Sequence, residues 1–75
     1  MMFFDARKFY DALDIIRKFQ RLDWKDVAEK SGVDAATLSR LRSGHTPSAD
    51  NLLRLFYWGN LEFLDYKTEI EGGQS

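Results

Sequence analysis

Residues 34–42 combine two guanidinium groups, those of Arg40 and Arg42, with several short side chains. The residues that the helical period places on the outer side of this segment, away from its two leucines, are Ala35, Ala36, Ser39 and Arg40. A guanidinium can donate two hydrogen bonds to a guanine edge, a serine can bond to a base, and an alanine methyl can pack on a thymine methyl. These residue types therefore suit the reading of base edges, with Arg40 as the main reader. The alternatives are a solvated arginine and alanines that only favour the helix.

Residues on both sides of this segment could bind phosphate. Trp24 and Lys25 open the preceding helix, whose N-terminal N–H groups form an anion site. The Trp24 ring could equally serve only to cover the core. Thr37 is expected to contact phosphate or to fix the start of its helix. The last residue of the segment and the four residues after it offer backbone and side-chain donors for further phosphate contacts: Arg42, Ser43, Gly44, His45 and Thr46.

The elements that must position these residues read as short helices. Little in the chain alternates with period two, so strands are not expected. The apolar spacing predicts five helices, at about residues 5–20, 23–30, 35–42, 49–58 and 61–66. Gly32 is placed to end the second helix in the left-handed conformation. The side chains expected to cap helix starts are Asp5, Asp23, Asp34 and Ser48.

The predicted core is a stripe on the first helix together with apolar residues of the other helices. The stripe consists of Ala6, Phe9, Leu13, Ile16 and Phe19. The other inward residues are Val27, Ala28, Val33, Leu38, Leu41, Leu52, Leu53, Leu55 and Phe56. The tight turn 31–33 between two short helices is the signature of a helix-turn-helix.

The composition fits one small helical domain. Of the 75 residues, 44% are hydrophobic, which excludes a disordered chain. We expect a domain at residues 1–68 and a flexible tail at 69–75. The first 46 residues carry nine Lys/Arg against seven Asp/Glu, and the remainder two against five. This asymmetry offers a weakly basic face to phosphate in spite of the net charge of −1.

Several classes of function lack their residues here. The chain has no cysteine, which excludes disulfides and thiolate metal sites, and its single histidine makes a poor metal ligand. No catalytic motif or phosphate-binding glycine loop is present, so we expect no enzyme and no cofactor, and no small-molecule ligand is implied. No apolar run approaches the length of a membrane span. The absence of cysteine is compatible with a reducing cytoplasm.

The stretch 24–44 resembles the helix-turn-helix of the phage lambda repressor/Cro-like (Xre) family. Recurrent family features are matched by Ala28 in the second helix, by Gly32-Val33 at the turn, by Thr37 and Ser39, and by Gly44 before Pro47. The likeness extends over about residues 13–66. It implies a compact five-helix, all-α fold in which helices 2 and 3 form the motif and the third helix enters the major groove of double-stranded DNA.

Two positions depart from the family pattern. The family often has glutamine at the first position of the second helix, where this chain has Trp24. It often has glutamate at the position of Arg42, paired with an arginine that Arg17 matches. Two arginines cannot form that ion pair, so Arg42 is free to reach a phosphate instead.

The resemblance implies a transcriptional regulator that binds a pseudo-palindromic operator as a dimer, most simply a Cro-like phage or prophage repressor. It also implies that the protein acts in the cytoplasm of a bacterial host, in association with the nucleoid. The homodimer is expected to be weak and could be completed on DNA. Its candidate interface is Phe56, Tyr57, Trp58, Phe63 and Tyr66, with Met2, Phe3 and Phe4 as another contact. All five aromatic residues could instead pack within the monomer. The alternative function is an antitoxin-like or other protein-interaction module.

Overall fold

The computed structural model describes residues 2–69, which form four α-helices and a short two-stranded sheet. In chain order the elements are β1 (Met2–Phe4), α1 (Ala6–Phe19), α2 (Trp24–Ser31), α3 (Ala35–Arg42), α4 (Ala49–Gly59), a 3₁₀ turn (Phe63–Tyr66) and β2 (Lys67–Glu69). The predicted helical class and the first four helices are confirmed. None of the helices in this part of the chain is long and apolar enough to cross a membrane.

Side-chain caps set where each helix begins. Asp5, Asp23, Asp34 and Ser48 each accept a hydrogen bond from the backbone N–H three residues later. Such a bond satisfies an N–H group that has no partner inside the helix. At the start of α2 the arrangement is reciprocal, because the Asp26 carboxylate also accepts from the Asp23 N–H. All four predicted caps are therefore present.

A residue with positive φ follows each of the four helices: Arg21, Gly32, Gly44 and Asn60. Gly32 has φ +81° and donates its N–H to the Ala28 carbonyl, which turns the chain sharply from α2 toward α3. Asn60 takes the same role after α4, with φ 54°. The turn between α2 and α3 is the one that the sequence predicts.

The core lies where α1, α3 and α4 meet the face of α2. Its fully buried side chains include Phe9 and Leu13 of α1, Val27 of α2, Leu41 of α3 and Leu55 of α4. The Phe9 ring packs on Phe56 and Tyr66, with centroid distances of 4.8 and 5.2 Å. Leu38 and Leu41 attach α3 to the same core, which fixes the orientation of α3 relative to the rest of the domain.

Two core assignments are wrong. Phe19 is 87% exposed, because the apolar stripe of α1 ends against α4 at Ile16 and Phe19 lies almost one turn further on. Leu53 is 66% exposed. Residues two apart lie on different sides of a helix, so Leu53 cannot face the core when Leu55 is buried there.

The two ends of the described chain pair with each other, which the sequence did not predict. β1 and β2 are antiparallel, with Phe3 opposite Thr68. The Asp5 N–H adds a hydrogen bond to the Tyr66 carbonyl. The expected fifth helix is only the 3₁₀ turn that leads into β2. Most of the tail predicted from residue 69 onward lies outside the described residues.

Candidate nucleic-acid interface

The outer side of α3 is open to solvent along its whole length. Ala35, Ala36, Ser39 and Arg40 are all exposed, whereas Leu38 and Leu41 on the opposite side are buried. Around the helix, Ala36 and Ser39 lie near the centre of the exposed side and Arg40 lies at the edge toward α4. The structure thus brings the four predicted base-reading residues onto one accessible surface.

Arg40 is held by a short chain of hydrogen bonds that begins at the cap of its own helix. Its Nη2 donates to Thr37 Oγ1 over 3.2 Å. The Thr37 hydroxyl in turn bonds to the Asp34 carboxylate, which also accepts from the Thr37 N–H over 2.8 Å. These bonds from Thr37 lower the pKa of Asp34, and the charge of Arg40 adds to the effect. The carboxylate therefore remains ionised at neutral pH and helps to orient the guanidinium.

Thr37 does not have the surface expected of a phosphate contact. The residue is only 5% exposed, and its hydroxyl is already engaged with Asp34 and Arg40. Its contact with Asp34 at the start of α3 agrees with the other interpretation of this residue, that it helps to fix the start of the helix. The contact with Arg40 was not predicted.

A small polar cavity of about 160 Å³ lies beside Arg40, between the end of α3 and the start of α4. His45 and Thr46 line it, as predicted for the loop, together with Ser48 and Asn51, which the sequence analysis did not assign to the site. The position of Ser48 at a helix start was a signal that it could lie near an anion site.

The loop after α3 uses its backbone donors internally. Gly44, with φ +96°, donates to the Leu41 carbonyl over 2.9 Å, and His45 donates to the Arg40 carbonyl over 3.0 Å. The Ser43 N–H bonds to Ser39 and Arg40 carbonyls. This is the Schellman arrangement that closes a helix C-terminus. The expectation that the Ser43, Gly44 and His45 N–H groups clamp phosphate is therefore corrected. Among the side chains, His45 and Thr46 are exposed, whereas the Ser43 hydroxyl donates to the Ser39 carbonyl over 3.4 Å and would have to leave that bond to reach a phosphate.

Trp24 packs against α1 at the start of α2. Its ring stacks on Tyr10 with a centroid distance of 4.9 Å and an interplanar angle of 19°. The Arg17 guanidinium lies over the same ring at 5.1 Å. Trp24 is half-buried, so the covering role considered for it is present in the structure, and Lys25 beside it is exposed.

Arg17 is satisfied without a partner from α3. It binds Asp14 through Nε and Nη2 at 3.0 and 2.6 Å, and its Nη1 donates to the Leu22 carbonyl over 2.8 Å. The hydrogen bond from Arg17 is the main cause of a lowered pKa at Asp14. Arg42, at the position where the family often has glutamate, makes no ion pair with any residue that the structure describes.

The tentative dimer residues separate into buried and exposed groups. Tyr66 is buried and Phe56 is half-buried against the core, so neither presents a free aromatic face. Trp58 is also partly packed. Tyr57 is 89% exposed, and the side chain of Phe63 lies outside the described part of the structure. Phe56 and Tyr66 therefore pack within the monomer, which was the alternative considered for these aromatic residues.

Comparison with protein families gives one match, described as helix-turn-helix, over residues 14–56. The matched region contains α2, the turn at Gly32, α3 and most of α4. No curated protein and no solved structure gives a significant match. The family model covers more than half of the chain, and it includes the exposed helix and the turn described above. The chain belongs to the Xre/lambda repressor-like helix-turn-helix family of DNA-binding transcription regulators.

Proposed function

We propose that the protein is a Cro-like repressor of phage or prophage origin that occupies a pseudo-palindromic operator in the cytoplasm of its bacterial host. Such a protein represses by blocking access to a promoter. The observation that carries the proposal is the exposed α3, which offers Ala35, Ala36, Ser39 and Arg40 on one side with no part of the described chain covering them. A helix presented in this way fits the major groove.

In this proposal Arg40 reads a base and Ser39 bonds to a neighbouring base edge. The bond to Thr37 limits the rotamers of Arg40 before DNA arrives, which lowers the entropy lost when the guanidinium engages a base. Ala35 and Ala36 allow close approach and contact thymine methyls.

Phosphate contacts on either side of α3 would set its position in the groove. Lys25 and the Trp24 indole act from the start of α2. Arg42 and Ser43 act from the end of α3. The polar cavity, lined by His45, Thr46 and the first turn of α4, suits a backbone phosphate next to Arg40.

Two copies would bind half-sites about one helical turn of DNA apart. The surface that we propose for the weak dimer is the exposed side of α4, where Leu53 and Tyr57 lie one turn apart at 66% and 89% exposure. Sedimentation on operator DNA tests this idea with Tyr57→Ser, and Phe19→Ser on α1 serves as a matched control. The proposed interface is wrong if both variants assemble like the parent.

The experiment that tests the function is selection of bound sites from random DNA, followed by titration of the selected site and of unrelated DNA at the same salt concentration. Arg40→Ala should lose about 1–3 kcal/mol of specific binding, because that is the discrimination given by a bidentate arginine. The Arg40→Ala variant should bind unrelated DNA almost as tightly as the parent protein does. Arg54→Ala is the control, since Arg54 is an exposed arginine of α4 that bonds to Asn51. Equal losses in both variants would contradict base reading by Arg40.

A protein-interaction module, such as an antitoxin, is the second candidate. Ile15 and Phe19 favour it, because they lie one turn apart on α1 and are 68% and 87% exposed. Absence of DNA binding by the native protein at low salt would favour this function over the first.

A further inference from the structure

An apolar groove lies between α1, α2 and α3, on the side of α3 away from the polar cavity. Its volume is about 490 Å³, within the range of roughly 300–1,000 Å³ that is usual for small-molecule sites. Tyr10 and Trp24 form one wall. Ala28 of α2 and Leu38 of α3 also line the groove. The core packing of Leu38 and the stacking of Trp24 on Tyr10 hold these surfaces in place.

The rim of the groove carries more positive than negative charge. Lys25 and Arg42 line it, against a single carboxylate from Glu29. Neither cation is in an ion pair within residues 2–69. Arg42 stands where the family often has glutamate, so it cannot pair with Arg17, and Arg17 is bound to Asp14 instead. An apolar body with an anionic end therefore matches both the walls and the rim.

We propose that this groove binds a small aromatic carboxylate. The ring lies against Tyr10 and Trp24, where offset or edge contacts between aromatic rings are favourable. The carboxylate accepts hydrogen bonds from Arg42 and attracts Lys25, and Arg42 is the stronger of the two because its planar donors match a carboxylate.

Bound ligand would block the DNA-reading surface, and this part of the inference rests on the proposed function. Ala35 and Ser39, which we propose to face bases, also line the groove. A ligand bound there occupies the space beside α3 in which the edges of the DNA bases would lie. Its carboxylate also neutralises Lys25 and Arg42, which we propose to contact phosphate. The groove would thus let a metabolite with an aromatic acid group release the protein from DNA.

Binding is tested first without DNA, with phenylbutyrate as the probe and its neutral amide as the comparison. Nitrogen–proton correlation NMR of the full chain should give saturable shifts at Tyr10, Trp24 and Ser39 with the carboxylate at about 10 mM, enough to reveal a Kd near 1 mM. The amide should bind about fivefold more weakly, and Arg42→Gln should remove most of that difference.

A matched pair of alanines identifies the groove as the site. Ala35→Met places a larger side chain in the groove, whereas Ala36→Met changes the next residue of α3, which does not line it. Both positions are exposed, so both variants should fold. We expect Ala35→Met to weaken probe binding about tenfold or more and Ala36→Met to leave it unchanged. No saturable shift, or equal effects of the two substitutions, overturns the site.

Competition is then measured by titrating the selected DNA with and without the probe. The apparent Kd for DNA should rise by a factor of one plus the ratio of the probe concentration to the probe's own Kd, because the probe binds only the DNA-free protein. The neutral amide should compete less. If the probe occupies the groove and DNA binding is unaffected, the regulatory part of the inference is wrong. If the native protein binds no DNA, the proposed function is wrong. The NMR titration tests binding in the groove separately, because it uses no DNA.

Discussion

Arg40 Nη2 donates to Thr37 Oγ1 over 3.2 Å, which joins an exposed guanidinium to a threonine that is only 5% exposed. Thr37 also bonds to Asp34, the residue that caps α3. The arginine proposed to read DNA is therefore oriented by the same group that fixes the beginning of its helix. This arrangement has a direct experimental consequence.

Thr37→Val should weaken binding to the selected DNA site about three- to tenfold, because Arg40 loses one hydrogen bond that orients it. Valine keeps the shape of the buried side chain, so the fold should persist by circular dichroism. Binding to unrelated DNA should change little. Thr46→Val is the comparison, since Thr46 is an exposed loop residue that we propose to contact phosphate. Loss of its hydroxyl should weaken binding to the selected and the unrelated DNA by a similar factor. Equal weakening on both DNAs by Thr37→Val would argue against the orienting role.

Arg17→Met should destabilise the domain by about 2 kcal/mol. The substitution removes the hydrogen bonds to Asp14 and Leu22 and the contact with the Trp24 ring. Urea unfolding at neutral pH measures the change. Lys18→Met is the matched control, because Lys18 also pairs with Asp14, at 3.2 Å, but is mostly exposed and should cost less than about 1 kcal/mol. Similar losses in the two variants would mean that Arg17 contributes no more than a surface ion pair.

Acid should destabilise the protein through three aspartates. Hydrogen bonds lower the pKa of Asp14, Asp23 and Asp34 below the usual 3.8, from Arg17, the Asp26 N–H and Thr37 respectively. A carboxylate with a depressed folded pKa stabilises the native state above its unfolded pKa, and this contribution is lost as the pH falls through the folded value. The free energy of unfolding should therefore decrease below about pH 4.

The variant Asp34→Asn separates capping from charge, because asparagine caps a helix about as well and does not titrate in this range. Urea titrations at about pH 6 and about pH 3 should show a smaller loss of stability in the variant than in the parent. A loss of the same size in both proteins would remove Asp34 from the explanation.

Lys25→Ala should weaken binding to selected and unrelated DNA by a similar factor. If Lys25 contacts one phosphate, the slope of log K against log salt concentration should become shallower by about 1. Fluorescence anisotropy over a salt series measures that slope. Lys30→Ala is the control, since Lys30 is an exposed lysine at the other end of α2 that we do not place at the DNA surface. The assignment is wrong if the two lysine variants give the same slope.

The boundaries of α3 and the four helix caps follow from the sequence alone. A capping bond joins residues three apart, and the helical period relates residues within one or two turns, so both are determined by neighbours in the chain. The same local rule places Ala36 and Ser39 opposite Leu41. It also identifies Gly32 as the residue that can take the left-handed turn between α2 and α3.

Contacts between distant residues were decided only by the tertiary structure. The pairing of β1 with β2 joins opposite ends of the described chain, and no local pattern signals it. The exposure of Phe19 depends on where α1 extends beyond α4, since apolar spacing states which residues share a stripe but not how far a neighbouring helix covers it. The groove beside Trp24 likewise exists only because α1, α2 and α3 meet at one particular set of angles, which depends on the packing of the whole core.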